Sequence, residues 1–320
     1  MGSAAVGSLA GTTPPGRPAG AWHEAVPYSG AADLAARLAP WVGAAVAAGD
    51  PVVAVLDEDA HAELHAALGD SADAVDFQDP REVHRVPGFT VAVRWARTSR
   101  RITTPGGRAM VVGQQLGELP GCEPAHWARL DIGLDVAIDG LPITVLCPFA
   151  DDGADLPRVQ ATHRVLTTPN GSEPSPGYRL PREAVVDYPP PPPPDLGPPA
   201  AVLDFGPDAL PQLRHLVASL AGASGMRAER VADVVLAVNE LASNSVEHGP
   251  GSGRLQVWND TGFVAEVLDS GRMEVPFPGM ALPPPEGARG RGLWLASELC
   301  DVLQAWSDDR ETRVRVHVLT

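Results

Sequence analysis

The sequence predicts two α/β domains in tandem, the first built on a parallel sheet. Three observations predict it. Short apolar runs alternate with helical periodicity between residues 33 and 147, an uninterrupted run of prolines follows Tyr188, and beyond it a fresh succession of strands and helices begins. At 320 residues the chain also exceeds what one hydrophobic core usually organises.

Residues 1–20 are dominated by Gly, Ala, Ser, Thr and Pro and offer little to bury, so they are expected to be a disordered terminus. From Asp33 to Ala48 apolar residues recur at helical spacing, Pro51–Leu56 is a buried-strand run, and Asp59–Leu68 is helical again. Ala74–Phe77, Ala109–Val112 and Pro142–Cys147 read as further strands, with a helix over Ala125–Ile138. This places a first domain over 21–180. Residues 181–200 form a Pro-rich linker, because the six prolines Pro189–Pro194 fit neither a helix nor a central strand and instead hold a polyproline II rod rising ~3.1 Å per residue. Such a run is also a ligand type for SH3-like domains, but the spacer reading is preferred.

The second domain, 201–320, opens with a strand over Ala201–Phe205 and a helix over Asp208–Leu220 carrying Leu210, Leu213, Leu216, Val217 and Leu220 on one stripe. A longer helix over Ala228–His248 has a core face of Val231, Val234, Val235, Val238, Leu241, Ala242 and Val246. Arg254–Asn259 and Phe263–Leu268 are strands joined by the turn signal Asp260-Thr-Gly262. A Pro- and Gly-rich segment over Arg272–Arg289 then leads into a helix from Gly290 to Cys300, and strands over Val302–Trp306 and Thr312–Leu319 close the chain.

Composition excludes several chemistries. A net charge of −16 and a pI near 4.9 argue against nucleic acid or an anionic membrane as a direct partner. All 24 basic residues are arginine, so a phosphate-loop lysine, the strand lysine of ordinary protein kinases and a Schiff-base lysine are all missing. Cys122, Cys147 and Cys300 are odd in number, widely spaced and free of a CxxC pair, which supports neither a disulfide framework nor a zinc site. No apolar run reaches the ~20 residues of a membrane helix, and the chain reads as cytoplasmic.

On the long helix Glu240, Asn244 and His248 fall at i, i+4 and i+8 and share a face distinct from the core stripe. Taken alone, such a stripe is as readily a solvated surface as a site. The downstream Asp269-Ser-Gly271 and Gly290-Arg-Gly-Leu293 tip the balance. Together with Glu240-Leu-Ala-Ser-Asn244-Ser-Val-Glu-His248-Gly249 they resemble, in order and spacing, the N box and the two glycine boxes of the GHKL, or Bergerat, ATPase fold. Within that fold they resemble the anti-sigma factor serine/threonine kinases.

The resemblance implies ATP and Mg²⁺ as cofactors, with Asn244 the protein's metal ligand through its amide oxygen. Glu240 would orient or deprotonate the attacking hydroxyl, its weaker alternative being a plain carboxylate near the metal. Asp269 would accept a hydrogen bond from the adenine amino group, and Gly271 would leave room for the base, although Asp-x-Gly is also an ordinary turn. Gly290, Gly292 and Leu293 would open a helix whose amides face the phosphates, a role a tight turn explains nearly as well. Arg272, Arg289 and Arg291 flank the implied lid, and Arg289 is the first choice for offsetting γ-phosphate charge. His248, carried with the nucleotide-contacting set, ends the helix and caps its last carbonyls.

Residues 22 to about 178 resemble the MEDS sensory domain, a relative of RecA-like folds that has lost the phosphate loop. The resemblance rests on Trp22-His23-Glu24-Ala25 with Tyr28, the helix into Val46–Val53, the strand Val145–Phe149, and Thr162-His163. Where that family carries an acidic-Pro-x-Trp segment, this chain has Gln114-Gln115-Leu116-Gly117. A small-molecule ligand is implied, with His23, Tyr28, Cys147 and His163 the residues to watch, although buried structural roles outweigh ligand contact for each.

The function implied is an ATP-dependent protein kinase that phosphorylates an anti-anti-sigma (STAS-type) protein and sequesters a sigma factor, thereby regulating transcription. Its first domain would bias that choice, and since members of the family it resembles often dimerise, the resemblance allows a homodimer. Two alternatives stand beside it. One is an inactive ATP-binding protein acting only by sequestration. The other is a sensor-histidine-kinase-like regulator, which a proline linker without paired helices disfavours.

Overall fold

The structure is a computed structural model that describes residues 20–101, 106–117, 119–151, 155–259, 262–283 and 291–319. The expected disordered terminus over 1–20 lies, except for Gly20, outside the described residues, as does the Asp260-Thr261 part of the expected hairpin turn. The chain divides into two compact units, Met1–Ala184 and Val185–Thr320.

In the first unit the elements run β1 (Trp22–Tyr28), α1 (Ala31–Ala47), β2 (Val52–Val55), α2 (Glu58–Leu68), β3 (Val75–Gln78), α3 (Pro80–Val83), α4 (Gly88–Arg100), β4 (Ala109–Gly113), α5 (Pro124–Ala137), β5 (Ile143–Ala150), α6 (Leu156–Thr162), β6 (Val165–Thr168), β7 (Gly171–Pro174) and α7 (Pro181–Ala184). They form a seven-stranded sheet of order β3-β2-β4-β5-β1-β6-β7, parallel throughout except for the β6–β7 hairpin at its edge. The inner strands are apolar on both faces because helices cover both faces. Every residue of β4 is buried, as is all of β5 except Ala150.

One face packs Leu34, Leu38 and Val42 of α1 and Ala60 and Leu64 of α2 against Val26, Val52, Ala54, Met110, Val112 and Leu146. Asp57 caps α2, its carboxylate accepting from the Ala60 amide at 2.8 Å. Helix α5 is buried almost all round, including His126, Asp131 and Asp135. Helix α4 lies against it so closely that a Cβ on Gly88 would stand 2.6 Å from the His126 carbonyl oxygen.

The sequence reading does not include β1, α4 or the β6–β7 hairpin. Val91, Val93, Trp95 and two threonines give α4 a strand-like composition, and packing on α5 overrides it. The hairpin depends on Glu24, 1 % exposed, whose carboxylate accepts from Thr167 (2.6 Å), Ser172 (2.7 Å) and the Trp22 indole (2.8 Å).

A buried histidine pair makes this unit acid-sensitive. His84 Nδ1 and His126 Nε2 lie 3.2 Å apart beneath Trp95 and Trp127, and Cys122 Sγ reaches the His84 carbonyl. Burial, with the neighbouring His126, lowers His84 to about 3, and burial, with Arg129 opposed by Asp131, lowers His126 to about 4. Because both folded values lie below the unfolded value near 6.5, the unfolded chain binds more protons than the folded chain between those values. The stabilisation is complete above that value and is lost as pH falls through about 4 for His126 and about 3 for His84. Denaturant unfolding followed by tryptophan fluorescence should lose up to about 1.4 kcal/mol per pH unit per ring between pH 6.5 and 4, with His126→Gln removing one ring's share of that slope. An unchanged slope in that variant would place the sensitivity elsewhere.

The second unit contains β8 (Ala201–Phe205), α8 (Leu210–Ala223), α9 (Ala228–Glu247), β9 (Gly253–Trp258), β10 (Phe263–Asp269), α10 (Arg291–Leu299), β11 (Val302–Ser307) and β12 (Thr312–Val318). Its sheet is antiparallel, of order β11-β12-β10-β9-β8. Leu213 and Val217 of α8, Val234, Val238 and Leu241 of α9 and Ala296 of α10 form one core with Leu255, Val257, Phe263, Ala265, Val267, Val314 and Val316. Alternation sends Glu266 and Arg315 to the opposite face. There Arg315, 2 % exposed, donates through Nε (2.7 Å) and Nη2 (2.6 Å) to Glu266 Oε2, and through Nη1 to the Pro194 carbonyl at 2.6 Å. Its guanidinium stacks over Trp258, whose indole donates to the Gly197 carbonyl at 3.0 Å.

Candidate functional site

Helix α9 turns its core residues inward and leaves Glu240 and Asn244 half-buried on the neighbouring face, with His248 exposed at the C-cap. The start of α10 comes against that face. A Cβ on Gly292 would stand 2.9 Å from Glu240 Oε2, 3.3 Å from Glu240 Cβ and 3.2 Å from Asn244 Nδ2. A side chain at this position would have to displace the tip of Glu240 and crowd Asn244, so the buried Gly292 lets the first turn of α10 lie against both groups undisturbed.

Immediately after Asn244 on α9, Ser245 points toward the end of β10, and its hydroxyl donates to Asp269 Oδ2 at 2.5 Å. Asp269 Oδ1 accepts from the Gly271 amide at 2.8 Å, so the Asp-x-Gly segment closes a local turn as well as meeting α9. A Cβ on Gly271 would meet Asp269 Oδ1 at 2.9 Å and Pro250 at 3.3 Å. A relay of donors fixes the next strand. The Met273 amide donates to Ser307 Oγ (3.0 Å), Ser307 bonds Thr312 Oγ1 (2.9 Å), and Thr312 donates to the Gly271 carbonyl (2.9 Å).

The structure thus brings together Glu240, Asn244 and Gly292, and joins Asp269 and Gly271 to the same helix through Ser245. The His248 backbone amide bonds the Asn244 carbonyl at 2.9 Å, and that amide is what caps the helix. Leu293 packs against the core. Arg272 pairs with Asp309 at 2.9 Å on the exposed surface, and Arg291 is exposed. Arg289 and Gly290 lie outside the described residues. Sequence reasoning missed Ser245 and Thr312. Ser245 sits on the inner side of α9, and Thr312 stands opposite Asp269 only through the β10–β12 register, which no local pattern encodes.

In the first unit, His23, Cys147 and His163 come together with Asp131, all buried. Tyr28 stands apart, its hydroxyl accepting from Gln114 Nε2 at 2.9 Å. The Gln114-Gln115 pair has work of its own: Gln115 donates to Asp131 Oδ1 (2.8 Å) and accepts from Arg158 (2.7 Å).

Residues 204–318 match the family model described as the histidine kinase-like ATPase domain, which covers just over a third of the chain. No curated protein matches. Among solved structures, one titled "The crystal structure of the RsbU and RsbW domains of Rv1364c from Mycobacterium tuberculosis" is similar at 19% identity with a TM-score of 0.27, over 38% of this chain and 33% of that one. The present chain therefore spans about a third of that chain's length. Among the described residues no helix is long and apolar enough to cross a membrane.

Proposed function

We propose that the histidine kinase-like ATPase domain of residues 204–318 binds Mg-ATP between α9, the Asp269–Gly271 turn and the start of α10, and phosphorylates a serine or threonine of an anti-anti-sigma protein. In its other state it sequesters a sigma factor, and the first unit biases the choice. The observation that carries this reading is the side-chain-free cradle at Gly292, with Glu240 and Asn244 at its wall.

The residues fit the nucleotide. Asp269 takes one hydrogen bond on each oxygen, from Ser245 and from Gly271, and each oxygen retains a lone pair for an adenine amino donor. Asn244 offers a neutral hard oxygen of the kind Mg²⁺ takes beside phosphates. When bound, Mg-ATP supplies the transferable phosphoryl group and the cation that offsets its charge. Glu240, one turn before Asn244, would receive the hydroxyl proton on its carboxylate while Gly292 keeps the first turn of α10 against it. The serine/threonine acceptor and both partners are carried by the resemblance of the three boxes to anti-sigma factor kinases.

Isothermal titration of the full chain with Mg-ATP should give binding on the order of micromolar, lost in Asn244→Ala. Wild-type chain that takes up no nucleotide would leave the domain as a protein-contact surface alone.

A further inference from the structure

We propose that the first unit binds one Zn²⁺ through His23, Asp131, Cys147 and His163. These residues come from β1, α5, β5 and the position just after α6, so the fold itself assembles them from four separate elements.

The donor atoms all lie within 4.8 Å of one another. Cys147 Sγ is 3.4 Å from His23 Nε2, and His163 Nε2 is 3.6 Å from Asp131 Oδ1. Tetrahedral Zn²⁺, with bonds of 2.0–2.3 Å, separates its ligand atoms by about 3.3–3.7 Å, so these two edges already have the right length. The residues are 4 %, 0 %, 1 % and 0 % exposed, in chain order.

Hydrogen bonds around the cluster point the lone pairs inward. His23 Nδ1 lies 2.9 Å from Asp135 Oδ1, which can only accept there, leaving Nε2 free as a ligand and aimed at Cys147. His163 Nδ1 lies 3.0 Å from the Val159 carbonyl, which likewise fixes its proton on Nδ1. Its Nε2 is then a buried lone pair, and that atom has no hydrogen-bond partner. A buried acceptor without a donor is costly, and a cation at this point relieves it. Asp131 is steadied from behind by Arg158 (3.0 Å) and Thr162 (3.2 Å) on Oδ2, and by Gln115 on Oδ1, which keeps a lone pair for the metal. Outer partners that orient histidine and carboxylate ligands in this way are what a metal site needs beyond its ligands.

The donor set selects the ion. Two imidazole nitrogens, one thiolate and one carboxylate suit borderline Zn²⁺. Four protein ligands with no open position describe a closed site. Binding releases the Cys147 thiol proton to solvent as the Zn–S bond forms, and the thiolate and Asp131 then cancel the ion's two positive charges.

The test uses the full chain, stripped with a chelator and titrated with Co²⁺ and then Zn²⁺. Expected are one equivalent of Co²⁺ per chain with thiolate-to-cobalt charge-transfer absorption and tetrahedral visible bands, displaced by Zn²⁺. Cys147→Ser should abolish the charge-transfer band, and His163→Ala should cut retained Zn²⁺ at least tenfold. Asp135→Asn, which leaves all four ligands in place, should weaken Zn²⁺ roughly 10–100-fold. His84→Ala, in the separate His84–Cys122–His126 cluster, should leave that equivalent intact. Circular dichroism identifies any variant that fails to fold. Wild-type chain without stoichiometric Co²⁺ uptake overturns the proposal, and so does a cobalt spectrum that survives Cys147→Ser but disappears in Cys122→Ser.

Discussion

Glu240→Gln is expected to hold Mg-ATP with an affinity close to wild type while phosphate transfer to the partner protein falls by roughly 10²–10⁴-fold, the range for losing a positioned general base. The substitution keeps the shape that fits against Gly292 and removes the carboxylate that would receive the proton. Radiolabelled transfer under single-turnover conditions, beside nucleotide titration, separates the outcomes. A variant that transfers at the wild-type rate would reduce Glu240 to a carboxylate near the metal. Binding without transfer in both wild type and variant would leave nucleotide-dependent sequestration as the activity.

Removing one member of the Glu266–Arg315 pair should have the largest effect on stability. The two side chains are 1 % and 2 % exposed, so Glu266→Ala strands a guanidinium that burial has already stripped of water. The expected loss is about 3–5 kcal/mol. At about 2–4 °C per kcal/mol, this lowers the melting transition of the second unit by roughly 6–20 °C. Replacing both residues with apolar side chains of similar volume should recover most of it, because the cost lies in the unpaired charge. A loss below about 1 kcal/mol for Glu266→Ala would mean that water reaches the pair.

Much of the second unit was legible in the sequence because its elements are long, amphipathic and punctuated. The spacing of Glu240, Asn244 and His248 marks one helical face without any knowledge of the sheet. The meeting of Glu240 and Asn244 with Gly292 and the links through Ser245 and Thr312 were not legible, because they depend on how α10 packs on α9 and on strand register. In the first unit the parallel α/β pattern could be read from Val52–Val55, Ala109–Gly113 and Ile143–Ala150, whose continuous apolar runs reflect burial on both faces. Helix α4 could not, because tertiary contact decides it. His23, Cys147 and His163 stood out by residue type. Cysteine spacing gave no hint of a cluster, since His23 and Cys147 are 124 positions apart and neighbouring parallel strands bring them together. Asp131 was missed because a carboxylate inside an apolar helix leaves no periodic trace.

The six prolines are not interchangeable. Arg315 reads the carbonyl of Pro194, and Trp258 reads that of Gly197, so the distal end of the run is locked in register to the β-sheet of the second unit. Prolines added or removed before Pro193 alter tether length without disturbing those bonds. A single deletion between Pro194 and Gly197 shifts one carbonyl off its donor and leaves either the buried Arg315 or the Trp258 indole short of an acceptor. Where the tether tolerates change is therefore set from its C-terminal side, and the folded second unit begins several residues before its first strand.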